Sequence, residues 1–186
     1  MAQFLLSCES TVEYMHSRGI PVIFYSYIVD EQAYPDDMGR DPEVLPRFYA
    51  FLDAGKLPGT SQINQFAYYD YFKGLLEQGG DVLHIAFGSG MTQSVNQAYE
   101  AAEQLRVEFP NQRLEVIDSL CSSSGYGLLV DGAADLRDAG KSMDETIDAM
   151  AAHAVGGEDY SGKCWICHSN CLTQAESTRD AVRAPE

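Results

Sequence analysis

Positive charge is scarce in this chain of 186 residues, where 12 lysines and arginines stand against 28 aspartates and glutamates, for a formal net charge of −16. Such a field repels phosphate backbones and anionic lipid surfaces, so neither nucleic acid nor a membrane surface is expected as a partner. It also removes long-range attraction as a way to gather an anionic ligand. Any acid bound here would be held by short-range hydrogen bonds and by burial of whatever is attached to it. No apolar run approaches the roughly 20 residues that a membrane span needs, and Met1 to Leu6 is too short for a signal peptide. The expectation is therefore a cytoplasmic protein without membrane insertion. Five cysteines, an odd number, without a secretory signal argue for thiols rather than a disulfide frame. A Walker-type Gly-Lys-Ser/Thr is also missing, so the motifs do not support an ATP-driven activity.

The length has room for one ordinary domain with a sizeable core. Hydrophobic residues at 45% and charged residues at 22% lie near the globular average, which speaks against wholesale disorder. The organising stretch is Asp81-Val-Leu-His-Ile-Ala-Phe-Gly-Ser-Gly-Met-Thr92. It runs from strand formers through two glycines to a hydroxyl residue just before a long amphipathic pattern. In an open parallel sheet such a turn lies at the carboxyl end of a strand, where ligands bind, and the free N–H groups of the new helix favour an anion.

Around it the pattern alternates. Gln3 to Ser7 reads as a strand, and Ser10 to Glu13 as a capping box opening a brief helix. Pro21 to Val29, rich in β-branched and aromatic residues, reads as one strand covered on both faces and central in the sheet. Asp30 to Asp41 reads as an irregular excursion, and Asp41-Pro42 as the start of a helix whose apolar face is Val44, Leu45, Phe48, Tyr49 and Leu52. Gly55 to Gln62 reads as a loop without regular structure. Phe66, Tyr69, Phe72, Leu75 and Leu76 mark another helix, then comes the strand Val82 to Phe87. A helical face follows at Val95, Ala98, Tyr99, Ala102, Leu105 and Phe109. Leu114 to Asp118 is a fourth strand, and two more helices follow, the second opened by the capping box Ser142 to Glu145. Strands alternating with helices predict an α/β fold: a mostly parallel sheet of about four strands with helices on both faces. From Gly156 the periodicity disappears, so residues 1–155 are expected to form the domain and 156–186 an irregular tail.

Several motifs compete at the Gly88 turn. A hydrolase nucleophile elbow needs glycines two before and two after its serine, and Ser89 has Phe87 and Met91 there. A dinucleotide fingerprint needs a third glycine where Gln93 stands. His84, mid-strand between Leu83 and Ile85, reads as a packed histidine with no serine or cysteine partner visible in sequence. Ser122 to Ser124 reads as a helix cap and turn. In the tail, Cys164-Trp-Ile-Cys167-His168 has haem-attachment spacing and Cys171 adds a fourth soft ligand. Haem attachment requires export, and a zinc site lacks its second Cys/His pair. Thiol-bearing segment and metal or redox site stay open as readings.

The order of hydroxyl-bearing motifs resembles the DegV family of bacterial fatty-acid-binding proteins. The motifs are Glu9-Ser10-Thr11, then Thr60-Ser61-Gln62 after a proline-containing loop, then Gly88-Ser89-Gly90-Met91-Thr92 after a strand, then Ile117-Asp118-Ser119. The resemblance implies a fatty acid with its tail in a tunnel and its carboxylate gripped by hydroxyls of two loops. Thr60 and Thr92 are the implied contacts, with Ser61 and Ser89 beside them. It implies a long-chain fatty acid as ligand and no cofactor. It also implies a separate fatty acid kinase, which makes the acyl phosphate, as partner, with no catalysis by this chain. Four residues depart from the family pattern: Gly88 stands where the first loop serine is expected, Gln93-Ser94 where Gly-Thr is, and Ile63 where proline is. Family members also carry a second domain, of which residues 156–186 would be a remnant. The rival reading is an enzyme on a related scaffold, acting on a small phosphorylated or carboxylated metabolite through Ser89 or His84.

Overall fold

A computed structural model describes residues 4–10, 18–37 and 40–154. Strands β1 (Phe4–Glu9), β2 (Val22–Ile23), β6 (Asp81–Ala86) and β7 (Leu114–Asp118) form a four-stranded parallel sheet in the order β2-β1-β6-β7. Helices α2 (Gln65–Leu76) and α3 (Ser94–Glu108) cover one face, and α4 (Ser123–Asp138) and α5 (Met143–Ala154) the other. The chain therefore has the doubly covered parallel sheet its alternating pattern predicts.

The period-2 alternation of side chains along a strand sorts the core. Phe4, Leu6 and Cys8 of β1 join Leu83 and Ile85 of β6 against Tyr126, Val130 and Ala134 of α4 and Met143 and Met150 of α5. On the other face, Val82 and Ala86 pack with Tyr68, Phe72, Leu75 and Leu76 of α2 and Val95, Ala98, Ala102 and Leu105 of α3. The helix ends follow capping chemistry. The Asn64 side chain accepts the Ala67 N–H at 3.0 Å. The expected box closes α5 on both sides, with Ser142 Oγ accepting the Glu145 N–H at 3.2 Å and Glu145 Oε2 accepting the Ser142 N–H at 2.8 Å.

The expected single strand from Pro21 to Val29 is two strands in different sheets. After the two residues of β2, the chain leaves the parallel sheet at Phe24 and Tyr25. It then enters β3 (Ser26–Val29) in a separate antiparallel sheet of order β4-β3-β5. β2 is consequently an edge, not the centre. Asp30 and Glu31 take the left-handed conformation, with φ of 49° and 67°, and turn β3 directly into β4 (Gln32–Pro35). The segment read as an irregular excursion is thus a hairpin in its first half. β5 (Gly59–Ser61) lies inside the Gly/Pro loop for which no regular structure was expected, because β3 supplies its ladder: Ser26 pairs with Ser61 and Tyr27 with Thr60.

Helix α1 (Val44–Asp53) starts later than Asp41-Pro42 would place it, although Asp41 still accepts the Glu43 N–H at 3.0 Å. Its predicted apolar face is only partly used. Val44 is buried and Phe48 packs edge-on against Tyr27, while Leu45 and Tyr49 are 56% and 60% exposed. In α2 the buried face is Tyr68, Phe72, Leu75 and Leu76, and Phe66 points outward at 81% exposure. The brief helix expected after Ser10 falls on residues 11–17, which lie outside the described residues, as does the tail from residue 155.

Candidate ligand-binding site

Connections from β1 leave in opposite directions, through β2 on one side and eventually to β6 on the other. The crevice outside the carboxyl ends of β1 and β6 is therefore the topological switch point, where open α/β sheets bind ligands. Glu9 and Ser10 end β1 there, and Phe87, Gly88 and Ser89 follow β6.

The Gly88 turn is fastened to the turn after β7. Gly88 donates its N–H to the Cys121 carbonyl at 3.0 Å, and Asp118 Oδ1 accepts the N–H groups of both Ser89 and Leu120 at 3.0 Å. A Cβ at position 88 would meet the Cys121 backbone N and O at 2.7 Å. This close approach explains why glycine occupies a place where the family resemblance puts serine. The chain then tightens, with the Met91 N–H on the Gly88 carbonyl at 2.9 Å. Thr92 Oγ1 accepts the Ser94 N–H and bonds the Ser94 hydroxyl, each at 3.2 Å. Ser122, although it occupies the cap position of α4, makes no side-chain capping bond.

Of the four residues expected to hold a ligand head group, Thr92 and Ser89 are half-buried in this turn, Ser61 is half-buried on β5, and Thr60 is exposed on β5. What links the two segments is Tyr25. It immediately precedes β3, the pairing partner of β5, and its hydroxyl donates to Glu9 Oε2, the same oxygen that accepts the N–H of Phe87 at the root of the Gly88 turn.

Beneath Tyr25 lies a sealed polar group that sequence reading missed. Glu9 is fully buried, and its carboxylate accepts the Tyr25 hydroxyl at 2.6 Å, the Tyr68 hydroxyl at 2.5 Å and the Phe87 N–H at 3.1 Å. His84 Nε2 stands 3.7 Å from Glu9 Oε1, an ion-pair separation too long for a hydrogen bond, and that nitrogen has no hydrogen-bond partner among the described residues. Burial works to raise the Glu9 carboxyl, yet His84, Tyr25 and Tyr68 together bring it below the ordinary glutamate value. Burial, with the Glu9 charge close by, pushes the phenols of Tyr25 and Tyr68 well up, so both remain donors.

His84 has a serine partner that is not visible in the sequence: Ser7 Oγ is 2.9 Å from Nδ1, because the two residues pair across β1 and β6. Its ring is otherwise packed, with Phe72 edge-on at 4.9 Å. Ser7, His84 and Glu9 are all 0% exposed. This serine, histidine and acid therefore offer no face to a substrate, and the packed reading of His84 holds. The signal that could have found the group is parity: Ser7 and Glu9 break an otherwise apolar strand at alternate positions, on the same face as His84.

No group of three or more His, Cys, Asp or Glu residues is arranged to hold a metal ion among the described residues, and Cys164, Cys167, His168 and Cys171 lie outside them. No described helix is long and apolar enough to cross a membrane.

The class these features define is an open-sheet α/β domain with hydroxyl-bearing turns at its switch point. The chain belongs to the DegV family, described as uncharacterised protein, DegV family, whose profile matches residues 7–156. A DegV domain-containing protein of Clostridium perfringens is 35% identical over 150 residues, covering 78% of this chain and 51% of its own length. Another, from Lactococcus lactis, is 29% identical over 152 residues, covering 80% and 52%. The chain thus spans about half the length of the curated relatives it matches. The fold is also that of a stearic-acid-binding protein from Eubacterium ventriosum, with a TM-score of 0.69 at 22% identity over 80% of this chain and 52% of that one. It is likewise that of the Streptococcus pneumoniae fatty acid kinase (Fak) B3 protein loaded with linoleic acid, with a TM-score of 0.67 at 20% identity over 81% and 53%.

Proposed function

We propose that this chain is the head-group-binding part of a cytoplasmic fatty-acid carrier. In this reading Thr60 and Thr92, with Ser61 and Ser89 beside them, hold the carboxylate of a long-chain fatty acid, and a separate fatty acid kinase receives that carboxylate. The carrier performs no chemistry and needs no cofactor. The observation that carries the reading is the link Tyr25 makes, through Glu9, between the strand that pairs with β5 and the Gly88 turn at the switch point of the sheet. The solved structures of the same fold, one a stearic-acid-binding protein and one loaded with linoleic acid, support the choice of ligand.

The energetics suit a carrier. Each buried methylene contributes roughly 0.8 kcal/mol, so a long acyl chain supplies on the order of 10 kcal/mol before ordering and desolvation costs. Hydroxyls and N–H groups then need only orient the head, which fits a chain with a net charge of −16. Phe66 and Met91, each a few residues from one of the two segments, stand 81% and 65% exposed and offer apolar surface for the start of the tail. The enzyme reading loses its histidine, because His84 is sealed in the core. Native mass spectrometry of the full chain purified from cells tests the proposal: a co-purifying long-chain fatty acid supports it, and a polar metabolite in its place contradicts it.

A further inference from the structure

The antiparallel sheet that carries Thr60 and the parallel sheet whose turn carries Thr92 share no strand pairing. No backbone ladder therefore fixes the separation of the two threonines, and another contact must. Tyr25 sits at the crossing between the sheets. Its N–H donates to Ser10 Oγ at 2.8 Å, its carbonyl accepts the Asp36 N–H at 2.8 Å, and its phenol donates to Glu9 Oε2 at 2.6 Å. The last bond is charge-assisted and runs to a fully buried carboxylate, which the Tyr68 hydroxyl and the Phe87 N–H hold in place. The same Oε2 that takes the Tyr25 proton also accepts the N–H of Phe87, the residue that opens the Gly88 turn. The next two residues, Ser26 and Tyr27, pair with Ser61 and Thr60.

We infer, resting on the binding reading above, that Tyr25 is the positioning residue that holds the Thr60 strand and the Thr92 turn at the spacing one carboxylate needs. Its backbone fixes the strand, its phenol bonds the carboxylate that also holds the Phe87 N–H at the root of the turn, and Glu9 anchors both to the end of β1. Without the phenol oxygen the ring still fills its place, but the two bends lose their common reference. A head group then meets one threonine or the other rather than both.

The test measures stearic acid affinity by titration calorimetry on the full chain, with Thr60→Val and Thr92→Val each made in the wild-type and in the Tyr25→Phe backgrounds. Tyr25→Phe is expected to weaken binding about tenfold, the scale of one hydrogen bond to a charged group. Each threonine substitution should cost about tenfold in the wild-type background and less than about threefold beside Tyr25→Phe. A purely structural tyrosine would lower the melting temperature and leave the threonine effects undiminished, and that result overturns the inference, as does unchanged affinity in Tyr25→Phe. Ser10→Ala, which removes the acceptor of the Tyr25 N–H and touches neither threonine, is read by the same criterion if Tyr25→Phe does not fold. A folded wild-type chain that takes up no stearic acid contradicts the binding reading itself, a separate outcome from failure of the tyrosine's role.

Discussion

The two faces of the β1–β6 pair differ in one respect: one is apolar throughout, and the other sets a buried polar group among its hydrocarbon. Towards α4 and α5 the strands present Phe4, Leu6, Cys8, Leu83 and Ile85, a hydrocarbon surface whose thiol, Cys8, is pushed up to about 12 by burial and is inert. Towards α2 the same strands add to Val82 and Ala86 three side chains, Ser7, Glu9 and His84, that are equally buried but polar. An apolar layer would be cheaper, because a buried carboxylate must recover several kcal/mol of desolvation from its partners. The polar layer lies directly under the switch point, and its outermost member is Tyr25. Both faces bury hydrocarbon, and the polar group on one of them gives the loops a rigid footing.

Substitutions separate the two roles. The largest effect is expected from Glu9→Ala, which leaves the Tyr25 and Tyr68 hydroxyls and the Phe87 N–H without their acceptor and costs about 3–5 kcal/mol at neutral pH. Because folding lowers the Glu9 pKa, its contribution is complete above the ordinary glutamate value of 4.5. It is lost as pH falls through the lower folded value. Denaturant melts should therefore show the gap between wild type and Glu9→Ala narrowing on acidification. Leu83→Ala, on the hydrocarbon face, should cost about 3 kcal/mol in the same melts, with a gap that does not change with pH. If the two substitutions show the same pH dependence, the contrast between the faces fails.

Gly88→Ser restores the residue that the family pattern places in the turn, yet its Cβ would press on the Cys121 backbone. A loss of about 1–3 kcal/mol is expected, and a neutral or stabilising result would contradict the tight approach of the two turns. Smallest, and remote from both faces, is Ser142→Ala. It opens the α5 capping box at a cost of about 1 kcal/mol and should leave ligand binding unchanged.

The repeating strand and helix pattern was readable because each element carries its own period. The Gly88 turn stood out because its glycines and hydroxyls end a run of strand formers. The break at Phe24 and Tyr25 was hidden, since both residues are good strand formers. Nothing local reveals that the Tyr25 N–H goes to Ser10 Oγ instead of a neighbouring strand. β5 was illegible for a related reason: its ladder comes from β3, across the whole of α1, and overrides the Gly/Pro composition. Glu9 is legible as part of a motif but not as a hub, because Tyr68, its closest partner, lies 59 positions away. Thr60 and Thr92 could be named from motif order, but their relation depends on that same unreadable crossing.

The central claim is that one carboxylate is held by two separated threonine bends. It is tested most directly by titrating the full chain with stearic acid and with the alcohol of the same chain length. For the acid, Thr60→Val and Thr92→Val should each weaken binding about tenfold; for the alcohol, both should leave it nearly unchanged. Equal effects on acid and alcohol, or no effect of either substitution, would contradict the account.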